Sequence, residues 1–294
     1  MTPDRERTWS SGAGTAELPR TAPPSSGTGV PAGSFRGSGS GQRFGETERT
    51  DAWWLQPLIQ AVGLTLLGLY ATWAAFQGRF YEYKNYLSPF YSPLFTPSWW
   101  PFSPAFLILG IPLGFRATCY YYRKAYYRAF FGDPAACAVG ELKSHGYCGE
   151  AKFPFILQNV HRYFLYLSIV VLAVLWIDVV RAFSFAGRFG IGGGSVALLA
   201  CTGLLTLYTL SCHSLRHLIG GKLDCFSCVA GGGPRRKMWS VVSVLNEHHM
   251  GWAWWSLFAV CFADFYVRLC ALGMIEDPVF YPFSMFDVST KPFG

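Results

Sequence analysis

The sequence predicts an all-α integral membrane protein. Of its 294 residues, 51% are hydrophobic and only 14% are charged, and the mean hydropathy is +0.25. This composition is too apolar for a soluble domain of that length. Many of the lysine and arginine residues that give the net charge of +7 lie beside apolar segments. Membrane orientation and lipid headgroups explain this placement better than nucleic-acid binding does. We therefore expect membrane lipid as a partner and no nucleic acid.

Five apolar segments predict five transmembrane helices in a domain covering residues 51–294. Each segment approaches or exceeds the length of about 20 residues that a helix needs to cross the hydrocarbon core. Residues 1–50 contain Gly, Ser, Pro and Arg but no apolar signal-peptide core, and they predict a disordered tail. The predicted spans are Trp54–Phe76, a segment that begins at Phe102, Phe153–Val180, Gly193–Leu218 and Leu245–Gly273.

The second span has a short apolar run, "FSPAFLILGIPLGF". Helical spacing continues through "RATCYYYRKAYYRAFF", so we expect one long helix that leaves the bilayer as an aromatic and basic stem. The preceding loop, "YEYKNYLSPFYSPLFTPSWWPFSP", is rich in aromatic residues and proline and should form a rigid cap at the interface. No internal repeat is recognised.

Charges in the loops predict the orientation of the helices. Six Lys or Arg residues fall between Arg116 and Lys152 and five between Arg216 and Lys237, whereas the first and third loops carry two each. Because short cytoplasmic loops are enriched in Lys and Arg, the second and fourth loops are predicted to be cytoplasmic. The N-terminal tail is then cytoplasmic as well, and the C-terminus lies outside.

This orientation places four of the six histidines at one membrane depth, on the cytoplasmic side. His161 lies near the start of the third span, His213 and His217 near the end of the fourth, and His249 near the start of the fifth. Ionisable residues in or near a bilayer are costly and usually mark a functional site. We expect the site at this depth.

A metal site is predicted in "HSLRHLIGGKLDCFSC". His213 and His217 are four residues apart and project from one helical face, and Cys225 and Cys228 follow as C-x-x-C in a turn. Two thiolates and two imidazoles suit tetrahedral zinc or a two-iron two-sulfur cluster of Rieske type, and spacing does not choose between them. The alternative ligands are Cys212 and His249. The cysteines expected only to fill packing space are Cys119, Cys201, Cys261 and Cys270.

A second group of polar residues suits the headgroup of a quinone. A quinone needs hydrogen-bond donors for two carbonyl groups and an apolar slot. Arginine and tyrosine at a membrane interface also have a purely structural explanation, because their polar ends reach towards water. The predicted headgroup residues are Arg116, Tyr120, His161, Arg162 and Tyr163.

Five stretches together resemble the membrane-anchor subunit of the succinate dehydrogenase found in actinobacteria and some related bacteria. They are "YLSPFYSP", "PLGFRATCYYYRKAYYRAF", "FPFILQNVHRYF", "YTLSCHSLRH" and "LNEHHMGWAWWSLF". The resemblance implies a five-helix anchor in the plasma membrane, bound to a flavoprotein and an iron–sulfur subunit. It also implies electron transfer from succinate to menaquinone, with a Rieske-like cluster in the anchor in place of haem.

Two other functions remain open from the residues alone. The first is a haem b-binding cytochrome subunit that uses His161, His213, His217 and His249 as axial ligands. The second is a transporter or scaffold whose C-x-x-C binds structural zinc. The chain contains no dinucleotide or flavin fingerprint, since "GIGGG" falls in a loop between spans. It is therefore not expected to oxidise succinate alone.

The orientation can be tested with reporter fusions. Fusions after Pro134 and after Gly233 should report the cytoplasm, and fusions after Lys84 and at Gly294 should report the outside, because the basic loops are expected inside. A reporter after Gly233 that is active outside would overturn the orientation.

Overall fold

The computed structural model describes residues 43–132, 134–141, 153, 155–221 and 223–281. The described chain is mostly helical, which confirms the all-α membrane class. Of the predicted tail, residues 1–42 lie outside the described residues. The helices are α1 (Leu55–Gln77), α2 (Ala105–Ala117), α3 (Tyr120–Tyr126), α4 (His161–Ala182), α5 (Gly193–Leu210), α6 (His213–Gly220), α7 (Gly232–Glu247) and α8 (His249–Ala271).

Four helices in the described part of the chain are long and apolar enough to cross a membrane. They correspond to the predicted first, third, fourth and fifth spans. The predicted second span corresponds to α2, a shorter apolar helix of 13 residues. The long helices are α1, α5, α8 and the 27-residue segment Ile156–Ala182, in which the 3₁₀-helix Phe155–Val160 runs into α4.

Helix α5 packs against both α4 and α8, and α2 packs against α4. The contact region includes Cys201 and Ala263, which are fully buried, and Val179 and Leu198. Small side chains at these positions allow helix backbones to approach closely, and such packing holds helices together in lipid. Cys201 thus packs as predicted.

The predicted single helix through the second span and its stem is wrong. Helix α2 ends at Ala117 and α3 begins at Tyr120, because the backbone of Cys119 is extended (φ −68°, ψ 128°). A matching interruption separates α5 from α6, where Cys212 is extended (φ −62°, ψ 134°). Both breaks occur at the end of the bundle where α4 and α8 begin.

The connection between α1 and α2, residues 79–104, forms the cap at the opposite end of the bundle. It contains a hairpin of β1 (Glu82–Tyr83) and β2 (Tyr86–Leu87) and the 3₁₀ turn Pro89–Tyr91. A second hairpin, β3 (Ser184–Phe185) with β4 (Arg188–Phe189), joins α4 to α5 at the same end.

Hydroxyl groups of the cap bind carboxylates that are buried in the bundle. Burying a charge is costly unless it is hydrogen-bonded or paired, so these bonds fasten the cap to α4, to α8 and to the segment after α8. Burial and the bond to Asp277 raise the pKa of the Tyr86 hydroxyl well above its usual range. The donor–acceptor pairs are Tyr86–Asp277, Ser88–Asp264 and Ser92–Asp178.

The buried pair between Asp264 and Arg268 should dominate the stability of the cap end. Arg268 Nε donates to Asp264 Oδ2 at 2.7 Å, and both side chains are almost fully buried. Asp264→Ala leaves the guanidinium buried without its carboxylate, which we expect to cost about 3–5 kcal/mol. Thermal unfolding of the purified protein in detergent measures the loss.

Arg181→Ala is the matched control, because Arg181 pairs with Asp178 at 3.4 Å but has a 70% exposed side chain. Exposed pairs are worth about 0–1 kcal/mol, so this variant should unfold close to the wild-type temperature. Equal destabilisation by both variants would contradict the importance of the buried pair.

Candidate functional site

Two buried histidines and two buried cysteines face one another across the helix ends. His161 begins α4 and His249 begins α8, while Cys119 and Cys212 are the extended residues at the two helix breaks. His161 Nε2 lies 3.2 Å from Cys212 Sγ, and His249 Nε2 lies 3.5 Å from Cys119 Sγ. These four residues are called the quartet below.

The residue before each cysteine holds the other nitrogen of a quartet histidine. Thr118 Oγ1 lies 2.9 Å from His161 Nδ1, and Ser211 Oγ lies 2.6 Å from His249 Nδ1. The partners are therefore exchanged: the hydroxyl of one dipeptide binds one histidine, and its cysteine faces the other. Hydrogen bonds at Nδ1 fix the ring orientation and favour the tautomer whose Nε2 is free to bind.

Aromatic rings cover both imidazoles. Phe115 stacks on His161 with ring centres 4.6 Å apart, and Tyr208 stacks on His249 at 5.0 Å. The two rings, with Cys119 and Cys212, belong to one buried cluster. The quartet is thus held in an apolar environment by groups from both helix breaks.

A nine-residue motif repeated in the sequence builds this arrangement. "FRATCYYYR" covers residues 115–123 and "YTLSCHSLR" covers residues 208–216. In each copy the aromatic residue at the first position stacks on a histidine. The hydroxyl of the fourth residue binds Nδ1 of a histidine, and the cysteine at the fifth position breaks the helix. The arginine amide at the ninth position then donates to the cysteine carbonyl and restarts the helix, at 2.9 Å for Arg123 and 3.0 Å for Arg216. This short repeat, which was not recognised in the sequence analysis, is the signal that could have identified the quartet from sequence.

The quartet is arranged as two facing pairs and not around one point. Among the described residues, no group of three or more His, Cys, Asp or Glu side chains converges closely enough to hold one metal ion. Two thiols and two imidazoles nevertheless form a donor set suited to soft and borderline metals.

The predicted metal ligands lie elsewhere. Cys225 and Cys228 form a disulfide with each other in the connection between α6 and α7. His213 and His217 are exposed, and His217 Nδ1 lies 3.3 Å from Arg162 Nη2. Within the described chain these four residues do not assemble into one group, whereas Cys212 and His249, the predicted alternatives, both belong to the quartet.

Arg116 is half-buried beside the quartet, against the Tyr208 ring that stacks on His249. Its Nη1 donates to Ala253 O and its Nη2 to Ser256 Oγ, both at 3.0 Å, and its guanidinium lies 4.8 Å from the centre of the Tyr208 ring. No carboxylate of the described residues forms an ion pair with it. A half-buried cation with only neutral partners attracts negative charge.

Two adjoining cavities lie against Arg116. The smaller, of about 50 Å³, is also lined by Phe115, Tyr208 and Ser168. The larger, of about 140 Å³, extends towards the cap as far as Ser92. Ser168 Oγ and the Tyr208 hydroxyl are buried without a hydrogen-bond partner among the described residues, so the smaller cavity presents donors to a bound polar group. The two cavities share Pro112, Arg116, Val171, Leu175 and Leu205.

The other predicted headgroup residues do not line these cavities. Tyr120 and Tyr163 are 57% and 65% exposed, and Arg162 is also exposed. His161 belongs to the quartet, one aromatic ring away from the smaller cavity. Of the five predicted residues, Arg116 lines both cavities, and His161 stacks on Phe115, the residue that precedes Arg116.

Comparisons with known proteins agree with this architecture. Residues 55–273 match the family model described as actinobacterial succinate dehydrogenase subunit SdhC. A chain of the Mycobacterium smegmatis Sdh1 complex in the apo form is 42% identical and superposes with a TM-score of 0.73, covering 82% of this chain and 96% of that chain. No curated protein gives a significant match. The resemblance seen in the sequence is thereby confirmed, and the chain belongs to the family of actinobacterial succinate dehydrogenase SdhC subunits.

Proposed function

We propose that this chain anchors a succinate dehydrogenase complex in the plasma membrane and passes electrons from an iron–sulfur subunit to menaquinone. Membership of the family supplies the complex, in which a flavoprotein subunit would oxidise succinate. The relay role rests on one observation: a buried set of two cysteines and two histidines lies one aromatic ring away from a cavity that is lined by a half-buried arginine.

The quartet is proposed to hold a Rieske-like two-iron two-sulfur cluster. Its donor set has two sulfurs and two imidazole nitrogens, the set that such clusters use, with both sulfurs on one iron and both nitrogens on the other. When bound, such a cluster supplies one-electron transfer at potentials of about −150 to +300 mV, a range that quinones can use.

The haem alternative fits the quartet poorly. An axial histidine must present Nε2 to an iron at the centre of a porphyrin. Here both Nε2 atoms face cysteine sulfurs, at 3.2 and 3.5 Å, so each histidine is paired with a thiol and not with a second histidine. His213 and His217, the other proposed axial ligands, are exposed.

Within the site, the protein groups have separate tasks. Thr118 and Ser211 hold the histidine rings by Nδ1, which favours neutral imidazoles with Nε2 free to bind. Cysteine binds metal as thiolate, so loading the quartet must release a proton from each thiol. Phe115 and Tyr208 exclude water from the histidines by stacking on them.

The menaquinone headgroup is proposed to bind between Arg116 and the cap, in the larger cavity, with the carbonyl at Arg116 reaching into the adjoining smaller cavity. The Arg116 guanidinium would stabilise the negative charge that develops on a carbonyl oxygen as electrons arrive. The Ser168 and Tyr208 hydroxyls, which lack partners, would donate to the same carbonyl. Tyr120, Arg162 and Tyr163 remain predicted headgroup contacts, on the surface and not in this cavity.

The orientation of the site follows from the loop charges. The quartet lies at the end of the bundle that is connected by the second and fourth loops, which are the basic loops. By the positive-inside rule this end is cytoplasmic, where the proposed iron–sulfur subunit would dock. The cap would then face the outside.

Alanine variants of the quartet should lose the cluster. Removing any one of Cys119, His161, Cys212 or His249 leaves an iron without a protein ligand, so we expect the Rieske-type electron paramagnetic resonance signal and the corresponding iron content of the purified complex to disappear. Cys201→Ala is the matched control, because Cys201 is an equally buried cysteine that packs between helices. It should retain both.

A competing ligand set is tested by the same measurement. If His213→Ala, His217→Ala, Cys225→Ala and Cys228→Ala each remove the signal while the quartet variants keep it, the cluster lies in the connection that follows α6. A complex without any such signal in its wild-type form would contradict the proposed cofactor.

Arg116 and Ser168 should be needed for quinone reduction but not for succinate oxidation. We expect Arg116→Gln to lower the rate with a menaquinone analogue by about 10²-fold, since removing a positioned donor to a developing oxyanion costs about 10²–10³-fold. The rate with a soluble electron acceptor should stay near the wild-type value.

Ser168→Ala separates binding from structural effects, because Ser168 Oγ has no partner to lose among the described residues. It should lower quinone reduction by about 10-fold, the effect of one donor worth about 1.4 kcal/mol. Arg188→Gln, at an exposed arginine of β4, serves as the matched control for Arg116→Gln. Parallel loss of both activities in the Ser168 variant would contradict a headgroup site here.

A further inference from the structure

A pocket at the cap end reaches towards the internal cavity. The pocket, of about 550 Å³, is open to the surface and is lined in part by Asp178 on α4 and Arg181 one turn later. Although it lines this pocket, Asp178 is only 5% exposed. The carboxylate accepts a hydrogen bond from Ser92 Oγ of the cap. Other charged or titratable groups that line the pocket are Glu82, Lys84 and Tyr86.

Ser92 belongs to both environments. Its side chain is fully buried, and it lines the cavity of about 140 Å³ whose opposite end is lined by Arg116. A single hydrogen bond between Ser92 and Asp178 therefore links the internal cavity to the surface pocket. Asp264 and Asp277, the other buried carboxylates of the cap end, line neither space.

The cavity has the length for a quinone ring held at both carbonyls. It follows α2 from Ile108 to Arg116, a distance of about 12 Å at the α-helical rise of 1.5 Å per residue. The carbonyl oxygens of a para-quinone lie on opposite edges of the ring. If one carbonyl meets Arg116, the other points towards the end of the cavity where Ser92 lies.

We propose that Ser92 and Asp178 deliver a proton from the cap side of the membrane to the quinone bound in this cavity. The inference rests on the proposed quinone site. Reduction of the quinone to quinol requires two electrons, supplied by succinate oxidation in the partner subunits, and two protons. In the proposed step the Asp178 carboxylate, which accepts the Ser92 hydrogen bond, first takes a proton from water in the pocket. The new carboxyl O–H bond then breaks as its proton passes to Ser92 Oγ, while the Ser92 O–H bond breaks and its proton passes to the reduced carbonyl oxygen, which restores the carboxylate. The carbonyl oxygen at Arg116 takes the second proton from water on the opposite side of the membrane.

The surroundings of Asp178 suit such exchange better than those of the other two carboxylates. Asp264 is fixed by Arg268 at 2.7 Å and by Tyr70 at 2.6 Å. Asp277 accepts from Tyr266 at 2.7 Å and from the amide of Gly193 at 2.8 Å. Asp178 has a looser contact with Arg181, at 3.4 Å, and the Arg181 side chain is 70% exposed.

The test uses the whole complex in liposomes with its succinate-oxidising subunits facing the external medium. The lumen, in contact with the cap, is buffered at a series of pH values while the external pH is constant, and the initial rate with a membrane-embedded naphthoquinone is recorded. We expect the wild-type rate to fall as the lumen pH rises. Asp178→Asn should lower the rate by about 10²-fold, the lower end for a positioned general acid, and remove its dependence on lumen pH.

Ser92→Ala should reproduce the Asp178→Asn result, and Asp178→Glu should recover part of the rate and the dependence on lumen pH. Ser88→Ala is the matched control: Ser88 is also a buried cap serine that donates to a carboxylate, but it lines neither space. Each variant is assayed with a soluble acceptor as well, and that rate should be unchanged.

A wild-type rate that follows only the external pH would overturn the inference. The inference would also be overturned if the Ser92→Ala and Asp178→Glu variants both kept the wild-type rate and its dependence on lumen pH. Wild-type complex that reduces the soluble acceptor but no quinone would instead refute the proposed function, and the proton route with it. If Asp178→Asn does not assemble, the Ser92→Ala and Asp178→Glu variants decide.

Discussion

The fold depends on the exchange of partners between the two helix breaks. Thr118 and Cys119 bind different histidines, and Ser211 and Cys212 bind the same two histidines in the opposite order. Polar groups in a low-dielectric interior must be paired, and each of these groups finds its partner on another helix. Four helix ends are consequently tied to one another, and the spacing of α2, α4, α5 and α8 at this end is set by side-chain polar contacts as well as by apolar packing.

The opposite end of the bundle solves the same problem with carboxylates. Three buried carboxylates each accept a hydrogen bond from a hydroxyl of the cap, namely Asp178, Asp264 and Asp277. These bonds hold a loop without long helices firmly against the helix ends. Between these polar layers the bundle is mostly apolar, and the polar groups that line its cavities include the guanidinium of Arg116 and the hydroxyl of Ser168. An apolar slot with polar groups at its two ends is the form expected of a site for a small amphipathic ligand.

Sequence patterns predicted the helical class, the long spans and the family, because length, apolarity and whole phrases of sequence carry these properties. They did not predict the helix breaks, since one extended residue such as Cys119 hardly changes the helical periodicity of its neighbours. Cys119 was expected only to fill packing space, because its partner, His249, lies 130 residues away and no local spacing connects the two residues. The local spacing of Cys225 and Cys228 drew attention instead, although these cysteines bind each other.

Arg116 joins the structural and the chemical roles of the site. It lies within one copy of the nine-residue motif, between the ring that covers His161 and the hydroxyl that holds it, and it also binds α8 through Ala253 and Ser256. Its partial burial without an ion-pair partner among the described residues is unfavourable for folding alone, since desolvating a cation without a counter-charge is costly. Contacts with two tyrosine rings offset part of that cost. The remaining positive potential acts on the cavity and on the Tyr208 ring that covers His249, where the proposed route would bring electrons. A group that is costly for the fold would therefore stabilise the reduced form of the electron acceptor.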